Sequence, residues 1–141
     1  MTWLLDTCVL SEYIKKTPAA TVIQWLDEQN EDELYISVVN LGEIEKGIFN
    51  LRVTDAIRSK KLTTWFETLK QRFAGRILPL DAATLHDWAQ LTAGAEIGGR
   101  CLPIMDGLIM ATAQHHDLTV VTRNTGDFCF YPRVFDPWRV R

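Results

Sequence analysis

The sequence predicts an α/β fold, a three-layer α/β/α sandwich around a mostly parallel central sheet of four to five strands. Three observations carry this expectation. Short apolar runs alternate with longer stretches of helical periodicity along the whole chain, the pattern of repeated βαβ units. The length of 141 residues suits a single domain spanning 1–141, with enough chain to bury a core unaided by disulfides. Hydrophobic residues make up 47% and charged residues 23%, which excludes a disordered chain.

Thr2 to Leu5 is a short apolar run closed by Asp6, a buried strand with a carboxylate at its C-terminal end. Thr7 to Lys16 reads as a helix stopped by Thr17-Pro18. Ala19 to Gln29 is a second helix, with Val22, Ile23 and Leu26 on one face and Trp25 beside them. Leu34 to Ser37 is the second strand. Val39 to Phe49 is helical, its Leu41, Ile44 and Ile48 recurring at i, i+3 and i+7. Thr54 to Phe73 forms a longer amphipathic helix that Gly75 ends. Arg76 to Leu80 is the third strand, and Asp81 caps a helix carrying Leu85, Trp88, Ala89 and Thr92. The three glycines of Gly94 to Gly99 break that helix. Pro103 opens the next one, in its first turn. Leu118 to Thr122 is a β-branched fourth strand, Arg123 to Phe130 a turn, and Val134-Phe135 a short fifth strand.

Composition also restricts compartment and chemistry. Cys8, Cys101 and Cys129 are odd in number and form no C-x-x-C pair, which argues against a disulfide framework or a thiolate zinc site. No run reaches the roughly 18 apolar residues of a membrane span, and the start lacks a basic signal region. A cytoplasmic protein with no membrane association is expected. The adjacent His115 and His116 point to different helix faces and are not read as metal ligands.

In open parallel sheets, sites form outside the carboxyl ends of the strands. Asp6 closes the first strand, Glu43 follows the second, Asp106 opens the helix before the fourth, and Asn124 and Asp127 follow the fourth. Each has a plainer explanation: Asp6 as a helix cap, Glu43 as a solvated residue, Asp106 as a helix N-terminal acid, Asp127 as a turn residue. Asp106 is harder to set aside, because Pro103 to Ala113 is otherwise apolar and an unpaired charge there is costly. Gly47 lies four residues after Glu43, on the same face. It is explained either by a rim that admits an ion or phosphate backbone or by close helix packing. Carboxylates sharing a pocket raise one another's pKa values, and a hard divalent cation removes that conflict. Oxygen-only ligands suit Mg²⁺ or Mn²⁺ rather than Zn²⁺. The arrangement suggests metal-assisted phosphodiester hydrolysis.

Four segments sharpen this reading. They are Leu-Leu-Asp6-Thr-Cys-Val-Leu-Ser-Glu, Ser37-Val-Val-Asn-Leu-Gly-Glu43-Ile-Glu-Lys-Gly47, Asp106-Gly-Leu-Ile-Met-Ala-Thr-Ala and Leu118-Thr-Val-Val-Thr-Arg-Asn-Thr-Gly-Asp-Phe128. In this order and spacing, with the ending Val134-Phe-Asp-Pro-Trp138, the chain resembles the PIN-domain ribonucleases of the VapC/FitB toxin type along essentially its whole length. The resemblance implies a PIN-like fold and a Mg²⁺- or Mn²⁺-dependent endoribonuclease, the toxin of a type II toxin–antitoxin pair. By the same resemblance, the ion would activate a water to attack RNA, and the products would carry 5′-phosphate and 3′-hydroxyl ends. Asp6, Glu43 and Asp106 match the family's best-defined acidic positions. Many relatives carry Asp where this chain has Asn124, and others an acidic residue near Asp127. Asp127 is taken as the fourth carboxylate, with Asn124 beside it and Thr122 offering a hydroxyl. Cys8 stands where Asn is common and is read as packing, not as a nucleophile. The implied partners are RNA, a cognate antitoxin and a second copy of the chain, with DNA bound through the antitoxin of the complex. A non-catalytic PIN module that binds RNA or protein is the competing reading. Phospho-acceptor domains also use a strand-end Asp, but Cys8 occupies the place of the second Asp that dehalogenase-like enzymes need.

The net charge of −3 excludes a generally basic nucleic-acid binder, yet it is uneven. Arg52 to Arg76 holds seven basic residues against two acidic, or +5, leaving −8 elsewhere. Arg52, Arg58, Lys60, Lys61 and Arg123 are the candidate RNA contacts, with a merely solvated helix face as the alternative for the basic stretch. Trp25, Trp65 and Phe66 serve either the core or a dimer or antitoxin surface.

Overall fold

The first strand, β1 (Trp3–Leu5), lies at the centre of a five-stranded sheet. It pairs in parallel with β2 (Leu34–Ser37) on one side and β4 (Thr119–Val121) on the other. The edges are β3 (Ile77–Leu78), beside β2, and β5 (Val134–Phe135), beside β4, both again parallel. The sheet order is therefore β3-β2-β1-β4-β5. The structure is a computed structural model that describes residues 1–139, so Val140 and Arg141 at the end of the expected domain lie outside the described residues.

Alternation along the central strands divides the core in two. Leu5 and Val121 face one cluster and Leu4 and Val120 the other, all with no exposed surface. The first cluster lies beneath α1 (Thr7–Leu10), α2 (Ala20–Glu28), α3 (Val38–Thr54) and α4 (Ala56–Arg72). The second lies beneath α5 (Ala82–Ile97) and α6 (Ile104–His115), which pack on each other. This is the expected three-layer sandwich, and its sheet is entirely parallel. Trp25 and Phe66 belong to the first core, 6% and 3% exposed, and Trp65 packs partly against it. The indoles of Trp3 and Trp25 meet edge to face at 5.0 Å.

Several boundaries differ from the sequence expectation. The Thr7–Lys16 helix is one α-turn, α1, followed by a 3₁₀ turn over Ser11–Ile14. The helix expected over Val39–Phe49 is α3 and continues to Thr54, because no breaker intervenes before Asp55. A capping box between Ser37 and Asn40 starts it. Asp55 then closes α3 through its backbone N–H and caps α4 through its carboxylate. The helix capped by Asp81 runs through Gly94 instead of breaking there. Gly99, at φ 76°, provides the stop, with Arg100 N bonding Ala95 O at 2.8 Å. Glycine in a helix interior is weakly unfavourable, about 1 kcal/mol against Ala, and packing on α6 outweighs that. The third strand has two residues rather than five.

Candidate active site

Strands β2 and β3 extend the sheet to one side of β1, and the chain then crosses back to lay β4 and β5 on the other. The order reverses between β1 and β4, the place where open parallel sheets form sites at the carboxyl ends of their strands. Asp6 stands at this point. Its backbone N–H donates to Val121 O at 2.9 Å, fastening it to β4.

The Asp6 side chain is 8% exposed and is held from several directions. Thr7 N donates to Oδ1 at 2.8 Å, which makes Asp6 the N-cap of α1. Thr122 Oγ1 donates to Oδ2 at 2.8 Å, and Cys8 Sγ contacts the same oxygen at 3.8 Å. Thr122 in turn accepts from Asn124 N at 3.0 Å. Each carboxylate oxygen has about two acceptor directions, so capping leaves acceptor capacity for a further ligand. Capping α1 is therefore compatible with a site role for Asp6.

Glu43 is fixed by a relay of polar groups. Thr7 Oγ1 donates to Glu43 Oε1 at 3.1 Å and accepts from Asn40 Nδ2 at 3.2 Å. Asn40 Oδ1 accepts from Ser37 N at 3.1 Å and from Ser37 Oγ at 2.7 Å. Ser37 and Asn40 have no exposed surface, so the end of the relay is rigid and Glu43 at its tip is half-buried. Asp106 sits in the first turn of α6, half-buried. Asp127 lies exposed in the 3₁₀ turn Thr125–Phe128 that follows β4.

Electrostatics show that the four carboxylates share one region. Burial pushes Asp6 above the ordinary carboxylate range, hydrogen bonds from Thr122, Thr7 and Cys8 oppose this, and the charge of Asp127 adds to it. Burial also raises Glu43, with further upward pressure from Asp6 and Asp106. Asp106 is raised by burial, then by Asp127 and Asp6. Among the described residues, no group of three His, Cys, Asp or Glu side chains is drawn together tightly enough to hold an ion between them. The carboxylates thus lie near enough to influence one another without closing on an ion.

The remaining expected residues divide. Thr122, with no exposed surface, donates directly to Asp6, and Asn124 is exposed beside it. A Cβ on Gly47 would meet nothing within 4 Å, so close packing does not explain this glycine, and the rim after Glu43 is open. Cys8 does more than pack. It touches Asp6 and Thr122 and accepts from Arg123 N at 3.5 Å, and burial raises its thiol. Arg123 is exposed next to Thr122, its guanidinium over the Trp138 ring at 5.5 Å. Arg52 covers the Phe49 ring at 4.6 Å at the far end of α3. The basic stretch is not one surface. Arg72 pairs with Glu31 at 2.7 Å, Arg76 bonds the carbonyls of Glu31, Leu34 and Arg72, and Lys70 pairs with Glu67. These cations are already partnered within the fold. Arg58 and Lys61 line a cavity away from the carboxylates, and Lys60 does not. Thr7, Asn40 and Ser37 went unrecognised in the sequence. Their only signal there is the Ser37…Asn40 capping spacing just ahead of Glu43.

Comparison with known proteins places the chain in a family. The PIN domain family matches residues 3–132. The toxin FitB of Neisseria gonorrhoeae is 38% identical over 140 residues, covering 96% of this chain and 97% of that protein. The VapC ribonuclease Y4jK of Sinorhizobium fredii is 34% identical over 130 residues, covering 89% of each. A chain in the structure of FitAB bound to an IR36 DNA fragment superposes with a TM-score of 0.86 at 33% identity, covering 99% of this chain and 98% of that one.

Proposed function

The chain belongs to the PIN-domain family, and from that premise we propose that it is a ribonuclease, the toxin of a VapC/FitB-type toxin–antitoxin pair acting in the cytoplasm. The observation that carries the proposal is the carboxylate set at the β1/β4 reversal. Asp6, Glu43 and Asp106 all have raised pKa values, through burial and the charge of neighbouring carboxylates, Asp127 included. Such a set calls for a counter-charge, and its all-oxygen chemistry fits a hard divalent cation. Asp6 and Asp106 would hold Mg²⁺ or Mn²⁺ most directly, with Glu43 and Asp127 completing the site partly through water. When bound, the ion supplies Lewis acidity toward a phosphoryl oxygen and eases deprotonation of water.

The chain's own residues do the rest. Thr122 and Thr7 N hold the two oxygens of Asp6 in a fixed direction. The Ser37–Asn40–Thr7 relay engages Glu43 Oε1, leaving Oε2 to orient the attacking water and accept its proton. The open rim beside Gly47 admits the RNA backbone. Arg123, exposed at the mouth, meets a phosphate. The protein partner is an antitoxin, as the relatedness to FitB and the FitAB complex supports, with DNA contacted by the assembled pair. A second copy of the chain completes the toxin. Among the described residues no helix is long and apolar enough to cross a membrane.

The test is cleavage of RNA by the purified chain in Mg²⁺, with and without chelator, beside the folded Asp6→Asn variant. Loss of cleavage in both cases is expected. Full cleavage by Asp6→Asn overturns the site assignment, and RNA binding without any cleavage by the parent favours a non-catalytic module.

A further inference from the structure

A cavity of about 760 Å³ opens between the end of the Ser11–Ile14 turn and the first turns of α4, apart from the carboxylates. We propose that it is a subsite for single-stranded RNA, in which one unstacked base lies against Trp65 and the neighbouring phosphates meet Lys16, Arg58 and Lys61. This rests on the ribonuclease reading above and extends it to how substrate is gripped.

The lining has the form of a nucleotide's own surface. Ile57, Leu62 and Trp65 give an apolar wall, and Lys16, Arg58 and Lys61 stand around it. Ile57, 74% exposed, adds apolar surface to this wall that a ligand can cover. Trp65 packs partly against the core, which holds its ring steady, and presents its remaining surface to the cavity. A rigid aromatic face flanked by cations is the arrangement that grips unstacked bases without sequence reading.

The cations are also uncommitted. Lys15 at the same cavity is tied to Glu12 at 2.5 Å, and Arg72 and Lys70 further along α4 have carboxylate partners. Among the described residues, Lys16, Arg58 and Lys61 have none within ion-pair distance. Asp55, the one acid in the lining, accepts from Arg58 N at the start of α4.

Reach links the cavity to the chemistry. From Asp6 the chain runs through α1 and the 3₁₀ turn to Lys15 and Lys16. Those two turns together span at most about 14 Å at standard rises, roughly four stacked base steps at ~3.4 Å each. An RNA with its scissile phosphate at Asp6 therefore arrives at the cavity within a few nucleotides. An acidic apolar peptide is the other ligand with this charge pattern, and the experiment separates the two.

The experiment measures binding of a labelled, mixed-sequence single-stranded RNA oligonucleotide to the full chain in an Asp6→Asn background, across a salt series. The triple variant Lys16→Ala/Arg58→Ala/Lys61→Ala is expected to bind at least about tenfold more weakly, with a log–log salt slope shallower by about 2, since each lost phosphate contact removes ~0.7. Trp65→Leu is expected to weaken binding about fivefold or more with the slope unchanged, and Trp65→Phe to restore most of it. With Asp6 intact, the triple variant should raise KM and leave kcat unchanged. Unchanged affinity and slope in the triple variant, whose substitutions are on the surface, overturn the subsite while leaving the ribonuclease reading in place. So does a triple variant that binds RNA normally but loses its antitoxin, which assigns the cavity to a peptide. A parent that neither binds nor cleaves RNA overturns both.

Discussion

Replacing Thr122 with Val tests how the site is held, because it keeps shape and removes one atom's chemistry. Thr122 Oγ1 donates to Asp6 Oδ2 at 2.8 Å in a place without solvent and accepts from Asn124 N at 3.0 Å. A hydrogen bond to a charged group contributes about 1.5–3 kcal/mol, and water replaces part of the Asn124 contact because that residue is exposed. A loss of about 2–3 kcal/mol at pH 8 is expected, roughly a 5–10 °C fall in Tm for a domain of this size. The effect has a sign in pH. Thr122 lowers a pKa that burial raises, so the Asp6 value rises further in the variant. Between the two native values the parent gains on the variant as pH increases. The difference is thus largest above both values and shrinks toward the ~1 kcal/mol of a neutral bond once Asp6 is protonated. Urea unfolding of parent and variant between pH 4 and 8 reads this directly. A difference below about 0.5 kcal/mol at pH 8, or one independent of pH, refutes the reasoning. In an Asp6→Asn background the pH dependence of the Thr122→Val effect should vanish.

Asp6→Asn itself should stabilise the metal-free protein at pH 8, because a raised native pKa means that ionisation costs more folded than unfolded. Linkage makes that gain grow as pH rises from the ordinary carboxylate range through the raised value, and thermal melts in chelator check it. Saturating Mg²⁺ should stabilise only the parent, by about 2.7 kcal/mol at a hundred times its Kd, and equal Mg²⁺ shifts in both proteins contradict the ligand role. Asn40→Ala should cost about 1–3 kcal/mol by stranding buried Ser37 groups, and should raise the Mg²⁺ concentration needed for half-maximal stabilisation. An unchanged Mg²⁺ midpoint shows that the relay does not position Glu43. Gly107→Val should cost about 1–3 kcal/mol by overpacking, since a Cβ there already lies 3.2 Å from Trp88 Nε1 and Leu102 Cδ2. Unfolding curves superimposable on the parent's argue against that contact.

The fold was legible because α2 and α4 are periodic, Pro103 marks the start of the apolar α6, and each strand is short, apolar and bounded. Helix limits were less so. Gly94 looks like a terminator in isolation, but the stop depends on which glycine takes a positive φ, and that is Gly99. Asp6, Glu43 and Asp106 stood out in the sequence because each lies in a motif whose order and spacing along the chain are specific, although each alone has a plainer explanation. The relay behind Glu43 was not. Thr7 and Asn40 are 33 positions apart and Thr7 and Glu43 are 36 apart, so their contact exists only once β1 lies beside β2. The +5 stretch misled in the same way, because Arg72 and Arg76 are bound to Glu31 and the strand it precedes.

Asp6 is both a helix cap and the centre of the carboxylate set, and paired substitutions separate the two roles. Ser caps a helix about as well as Asp, whereas Ala forfeits about 0.5–2 kcal/mol. Asp6→Ser keeps an oxygen for Thr7 N, yet it removes the charge and the oxygen that Thr122 binds. Both variants relieve the same burial of charge. Their difference in unfolding free energy therefore isolates the cap, and Asp6→Ser should exceed Asp6→Ala by the capping value. Their RNA cleavage should be equally absent and their Mg²⁺-induced stabilisation equally lost, because neither offers a carboxylate. Cleavage retained in Asp6→Ser at matched stability means that capping alone is what the site requires of residue 6, and the ligand role falls. Equal stability of the two variants means that α1 is held by its Val9 and Leu10 packing instead. The capping bond then serves to orient the carboxylate and not to start the helix.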